Sequence, residues 1–472
     1  MRNLVIRAWS DHRVRTSLLL CLTLSIAACD STPDAESPQT SSTASSSTGP
    51  SSSNTAATSA STTSNVASSS ASSSASSKPV TDVNDKPLAN AKSFAKSSNA
   101  FGLDLYGKLR SEKGNLAMSP ASVTVALAMT WAGARGKTAD EMKTVLHFEG
   151  SSAEVSRGAG ELTKYLTSSE RPITLRIANQ LFGEKTFKFE QPFLDSTKAA
   201  FGAPLEPVDF ANSPEPSRVA INGWVDKTTE HRIKDLVPKS AIDSDTRLVL
   251  VNAVYFLAEW KDPFEKTGTV DQEFSVTKSS KKKVPTMHRT STMRYAEGGG
   301  AKLVELPYKG DSTSMLVLLP DDVDGLAALE EKLTSEKLDE MIGKLSSERV
   351  ELALPKFEVA AAQPFALSKT LKSMGMLLAF DRGNADFTAI ANPPDPKDRL
   401  YISNVFHKAF VKADEKGTEA AAATAVVMAR GGAAKMNAKA FYADHPFLFF
   451  LRDNETGAIL FMGRVADPSV TS

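Results

Sequence analysis

The chain has 472 residues, enough for one large domain or two to three small ones. Lysine and arginine together number 55, as do aspartate and glutamate, so the formal charge is zero. That balance excludes a global electrostatic preference for nucleic acid or an anionic membrane. Hydrophobic residues make up 41% of the chain, ordinary for a globular protein even though a polar tract dilutes the figure.

The first 28 residues read as an export signal. Arg2, Arg7, Arg13 and Arg15 precede an apolar run, Leu18 to Ile26, too short to span a bilayer as a mature helix. The run ends Ser25-Ile26-Ala27-Ala28-Cys29. This resembles a bacterial lipoprotein processing site, which implies that Cys29 is lipidated. The alternative is an incidental Cys29 beside an Ala-x-Ala-like cleavage site. Cys21 lies inside the signal, so the mature chain would hold one cysteine and no intramolecular disulfide. Acyl chains anchor at about 0.8 kcal/mol per buried methylene. From Asp30 to about Lys78 the chain is Ser, Thr, Ala and Pro with almost no large apolar residue. Such a tract cannot bury enough surface to offset its ordering entropy and reads as a disordered tether. The expected division is signal 1–28, lipidated Cys29 and tether 29–85, and folded domain 86–472. The expected location is a bacterial cell envelope, with the exported domain facing periplasm or exterior from a lipid anchor.

Phe101, Leu105 and Leu109 recur at helical spacing. Asn115 to Trp131 predicts a second, apolar helix entered through Ser119-Pro120. Thr138-Ala139-Asp140-Glu141 predicts a capping box opening a third. Ile173, Leu175, Ile177 and Leu181 alternate as a strand. Val219 to His231 predicts a helix with Trp224 and Val225 inward. Leu248 to Phe256 is a continuous apolar run, the mark of a strand buried on both faces. Val304–Tyr308 and Met315–Pro320 read as paired strands around Lys-Gly-Asp, and Leu326–Met341 as one amphipathic helix. Glu351–Val359 alternates, Phe365–Met376 reads as helix, and Leu400–Val411 as strand. Phe447–Leu451 and Ala458–Gly463 predict a hairpin around Asn454–Gly457. Helices dominate the first half and strands the second, which argues an α+β fold.

The stretch Asp414 to Gly432 organises the rest. It continues a strand. Read by alternation, one face carries Thr418, Ala420, Ala422, Thr424, Val426 and Met428, none of them charged, with Glu419 on the other face. Gly417 and Gly431-Gly432 are breakers, as expected of a loop. Ala420 to Ala423 would also suit a helix, though one with little amphipathic face. The segment reads as able to be both an exposed loop and a central strand.

Asp414, Glu415, Gly417, Thr418, Glu419, Ala420, Ala421, Ala422, Ala423 and Thr424 together resemble the hinge of the serpins, a family of loop-inserting protease inhibitors. Four further stretches carry the same resemblance in the same order. They are Asn115–Ser122; Val251–Phe256 with Trp260 and Pro263-Phe264; Leu371–Met376 with Phe380 and Ala385–Phe387; and Phe441–Leu451. The resemblance implies a serpin fold, mainly antiparallel sheets with a bundle of helices and an exposed reactive centre loop. It implies a suicide substrate rather than an enzyme. A serine protease attacks the loop, which then inserts into the main sheet and distorts the attacker before deacylation. Cysteine proteases are a second partner class; no cofactor, metal or nucleic acid is implied. Alternatives are a non-inhibitory serpin acting as carrier or chaperone, and a lipid-anchored binding or adhesion module. Counting with Glu415 as the seventeenth residue before the cut puts the reactive bond at Gly431–Gly432. Arg430–Gly431 is preferred, because Arg430 fills the acidic-floored pocket of a trypsin-like enzyme; Met428–Ala429 is a further alternative. The resemblance also implies a gate, with Ser119, Ser122, Asn252 and His407 meeting beneath the opening strands, and Glu415 paired with Lys356 close to Trp260.

Other motifs carry less. Gly133-Ala134-Arg135-Gly136-Lys137-Thr138 lacks the first glycine of a phosphate loop, where Trp131 stands. Ser275–Lys278 and Lys266–Gly268 stand in the wrong order for a penicillin-recognising enzyme. The six histidines show no metal spacing, no Gly-x-Ser-x-Gly elbow is present, and Lys281 to Lys283 reads as a solvated turn.

Overall fold

The computed structural model describes residues 88–202, 205–360, 363–418 and 438–470. The signal, Cys29, the tether, and the readings on Glu419, Ala420 to Ala423, Thr424, Met428, Arg430, Gly431 and Gly432 lie outside the described residues.

Helix α1 (Ala89–Leu109) buries Phe101, Leu105 and Leu109 on one face. Strand β1 (Leu116–Met118) then precedes α2 (Pro120–Ala132). The expected helix therefore starts at Pro120 and not Asn115. Ser119 caps it by accepting the Ser122 N–H, and Pro120 can only open a helix. Leu116 to Met118 instead pair with Met462 to Arg464. Helix α3 (Gly136–Val145) begins two residues before the expected box, so Thr138 and Glu141 cap other segments. The Thr138 hydroxyl accepts the Asp386 N–H, and the Glu141 carboxylate accepts those of Leu377 and Leu378. A capping box does form at α4 (Ser152–Leu166), from Ser151 and Glu154.

Strand β2 (Ile173–Glu184), α5 (Gln191–Phe201), β3 (Glu206–Val208), α6 (Pro214–Thr228) and β4 (Leu248–Glu259) follow. In α6, Val225 is buried and Trp224 partly so. Next come β5 (Val270–Thr277), β6 (Ser280–Gly298), β7 (Ala301–Pro307), β8 (Thr313–Pro320), α7 (Leu326–Lys332) and α8 (Ser335–Gly343). The single helix expected over Leu326–Met341 is broken at Leu333, which is extended, because the Thr334 hydroxyl caps a new start by accepting the Lys337 N–H.

The expected strand Glu351–Val359 divides at Pro355-Lys356 into β9 (Ser346–Pro355) and β10 (Phe357–Ala360), which belong to different sheets. Phe365 and Ala366 form β11 against His407 and Phe406, so the expected helix shrinks to α9 (Ser368–Ser373). The chain ends with β12 (Asn404–Ala413), β13 (Gly417–Thr418), β14 (Lys439–Tyr442), β15 (Phe447–Asp453) and β16 (Ile459–Val465).

Among the described residues two sheets result, so the α+β reading holds. One runs β1-β16-β15-β8-β7-β6-β9-β14, with β5 on β6; the other runs β10-β12-β13-β4-β2-β3, with β11 on β12. Strand β4 is the centre of the second. Leu248, Leu250, Val254 and Phe256 join the main core, while Val249, Val251 and Ala253 face a second cluster with Ile221, Val225 and Leu236. Burial on both faces is the reason the segment is continuously apolar.

Candidate functional site

The site is the seam between β4 and β12. These strands run parallel, registered from Asn404↔Val249 to Phe410↔Tyr255. Beyond Phe410 they part, and β13 fills the gap. Gly417 pairs with Glu259, and Thr418 pairs with Ala258 on one side and Ala413 on the other. The hinge does not simply prolong β12, as the sequence suggests. It reverses through a tight turn in which Asp414 N–H donates to Gly417 O and Lys416 N–H to the Asp414 carboxylate, 2.9 Å each. Gly417 has no room for a side chain: a β-carbon there would lie 2.0 Å from the Ala258 carbonyl oxygen.

Two side chains grip this hinge. Trp260 donates its ring N–H to Asp414 O and its backbone N–H to Lys416 O, each at 2.8 Å. It stacks on Tyr308 at 4.5 Å and 9° between planes. The Tyr308 hydroxyl meets the Thr418 hydroxyl at 2.5 Å, and both residues are fully buried. Full desolvation holds the Tyr308 phenol far above its ordinary range. Glu415 closes the outer edge. Its carboxylate accepts from Lys356 Nζ at 3.0 Å and from Thr269 Oγ1 at 2.9 Å, while Phe264 N–H donates to its carbonyl. Burial works to raise the Glu415 carboxyl, but its own backbone N–H, Lys356 and Thr269 outweigh that and hold it below the usual range. Lys356 occupies this place because Pro355 ends β9 there and the chain crosses between sheets.

Lower on the seam, the structure brings Ser119, Ser122, Asn252 and His407 together. His407 and Asn252 are register partners. The His407 ring meets Asn252 Oδ1 through Nδ1 and accepts the Ser119 N–H at Nε2, 3.0 Å. Asn252 Nδ2 reaches the Ser122 hydroxyl and the side-chain oxygen of Asn179. Burial pushes the His407 imidazole down to about 3, so it is neutral and its accepting Nε2 matches the Ser119 donor.

Asn179 is the member missed in the sequence. It stands in the inward phase of the alternating Ile173, Leu175, Ile177, Leu181, and a polar residue in that phase was the available signal. Tyr308 and Thr269 carried no comparable signal. They reach the hinge only through sheet packing. Lys281 to Lys283 are exposed but lie in β6, in register with Ser275 to Glu273 of β5, and not in the expected turn; Lys281 and Lys282 pair with Glu273 and Asp467.

Known proteins match this architecture. The family described as serpin (serine protease inhibitor) matches residues 96–468. Human Serpin B3 is 42% identical over 396 residues, 80% of this chain and all of that protein. Human leukocyte elastase inhibitor is 37% identical over 387 residues, with the same shares. The crystal structure of Serpin48 from Tenebrio molitor superposes with a TM-score of 0.71 at 34% identity, covering 79% of this chain and 98% of its own. The chain belongs to the serpin family. Its relatives include inhibitors of proteases.

Proposed function

We propose that the protein inhibits serine proteases as a suicide substrate. The protease attacks the segment after Thr418 and forms an acyl-enzyme at its own nucleophile. The freed segment then enters the β4–β12 seam, carrying the protease with it. Catalysis needs fine positioning of triad and oxyanion hole, so distortion stops deacylation.

The observation that carries this reading is β13. A strand already seated between β4 and β12 makes insertion a matter of lengthening and not of starting afresh. Extension replaces one ladder, Asn404–Phe410 on Val249–Tyr255, by two. At about 0.5–1.5 kcal/mol net per hydrogen bond, the gain is on the order of several kcal/mol before side-chain burial. The residues next in line, Ala420, Ala422 and Thr424, are small enough to follow Thr418. The polar group at Asn252 and His407 acts as a gate that must part and re-pair, and the Glu415–Lys356 pair delays entry.

Arg430–Gly431 is the proposed reactive bond, and a trypsin-like enzyme the proposed target. Lipidation of Cys29 and export to a bacterial cell envelope complete the proposal; Cys29→Ser should release the protein from the membrane fraction. Incubation with trypsin should give an SDS-stable complex and a released fragment beginning at Gly431. Arg430→Ala should slow association by about a hundredfold or more. Cleavage without a complex would favour a non-inhibitory serpin, and an unchanged rate would move the reactive bond.

A further inference from the structure

Next to the hinge lies an open pocket of about 480 Å³ that no step above uses. Its wall joins the bend after β4 to the middle of β6 and to the ends of β7 and β15. Four cations line it, and two are neutralised in place: Lys261 pairs with Asp311, and Arg294 with Glu305, each at 2.8 Å. The other two, Arg289 and Arg452, form no ion pair with a carboxylate among the described residues. Arg289 donates from Nη1 to the Asp262 carbonyl oxygen and weakly from Nη2 to Met293 Sδ at 3.9 Å, and its Nε has no hydrogen-bond partner among the described residues. Arg452 makes one long bond, Nη1 to Asn454 Oδ1 at 3.5 Å. With the pairs cancelled, two guanidinium forks face one remaining lining carboxylate, Asp262, and the Asp339 carboxylate acts on Arg452 from outside the lining. Planar forks with spare donors suit oxyanions.

Arg289 also connects this pocket to the hinge. Its guanidinium lies over the Phe264 ring at 4.9 Å. Phe264 packs edge-on against Trp260 and donates its N–H to Glu415 O. Lys261, on the pocket wall, directly follows Trp260.

We propose that this pocket binds a small multivalent oxyanion, a phosphate or a tricarboxylate, between Arg289 and Arg452, and that its occupancy is transmitted to the hinge through Phe264 and Trp260. The ligand draws Arg289 toward the pocket and shifts the ring stack that grips Asp414 to Lys416. The binding half is independent of the inhibitory reading; only the consequence for loop entry rests on it.

Isothermal titration of the full chain at constant ionic strength, with inorganic phosphate and citrate separately, tests the binding. A dissociation constant on the order of 1 mM or tighter is expected for at least one of them. The two titrations tell a phosphate site from a carboxylate site. Arg452→Gln, at a partly exposed position, should weaken binding about tenfold, and Arg289→Gln with Arg452→Gln should abolish it. Lys281→Gln, outside the pocket, should change nothing. Absence of binding for both anions, or equal binding by a folded Arg452→Gln protein, overturns the site. For the transmission, anion should change tryptophan emission in the wild type and leave it unchanged in Trp260→Phe. An unaltered wild-type spectrum at saturation, or a change that survives Trp260→Phe, overturns that half while leaving inhibition itself testable with trypsin.

Discussion

The seam between β4 and β12 is closed in two ways. Its lower part is a dry polar knot: Asn252 and His407 are both fully buried and neutral, tied to Ser119, Ser122 and Asn179. Its upper part holds a turn of the chain itself, gripped by Trp260 and Tyr308 and edged by the Glu415–Lys356 pair, whose lysine side chain is 38% exposed. A buried neutral network is costly to open because each parted group loses its partner without gaining water. A part-exposed ion pair resists weakly. Under the proposed mechanism this difference would order events: the upper end would yield first, and the knot would hold until a growing strand could replace its bonds.

The largest expected effect comes from removing the room that β13 needs. Gly417→Val would drive a side chain into the Ala258 carbonyl, expelling the hinge from the seam. SDS gels with trypsin should then show cleavage but no stable complex; undiminished complex formation would show that the upper seam need not accept Gly417.

The knot can be broken by acid. The His407 value lies below its unfolded value of 6.5, so between pH 6.5 and about 3 the unfolded chain binds the extra proton. Stability from this group is complete above pH 6.5 and falls below it by up to about 1.4 kcal/mol per pH unit. His407→Gln should flatten the slope in denaturant melts between pH 6.5 and 4.5. An identical slope in both proteins would place the acid sensitivity elsewhere.

Tyr308→Phe sharpens the contrast, because it removes one hydroxyl and strands that of Thr418. A loss of about 1–2 kcal/mol is expected, with slower complex formation as the hinge leaves the seam. A rate equal to wild type would show that this bond does not restrain the hinge.

The smallest equilibrium effect is at the edge. Glu415→Gln should cost only about 1 kcal/mol or less, given the exposure of Lys356. The Glu415 carboxyl is depressed, so its contribution is present above the unfolded value of 4.5 and is lost as pH falls through the lower folded value. Glu415→Lys places two cations together and should give loop–sheet polymers on mild heating, seen as ladders on native gels. A protein that stays monomeric at every temperature up to unfolding removes the pair from the mechanism.

Much of this was written locally. Hydropathy alone marked β4 as central, because only a strand covered on both faces needs apolar residues at every position. The small-residue alternation after Gly417 marked a segment suited to strand and loop alike. Ser119-Pro120 carried a helix start, although the residues before it were read as helix too. Local chemistry was ambiguous where partners were distant. Thr138 and Glu141 have the spacing of a capping box, yet their bonds go to Asp386 and to Leu377-Leu378.

What the sequence by itself determined was the α+β class and the apolar spine, since each rests on periodicity within single segments. Tertiary structure alone decided that the hinge turns back into the sheet, that Asn179 joins the knot, and that Tyr308 meets Thr418 from 110 residues away. Those depend on register between strands and on one sheet packing over another, and no local pattern encodes a distance between segments that meet only when the core closes.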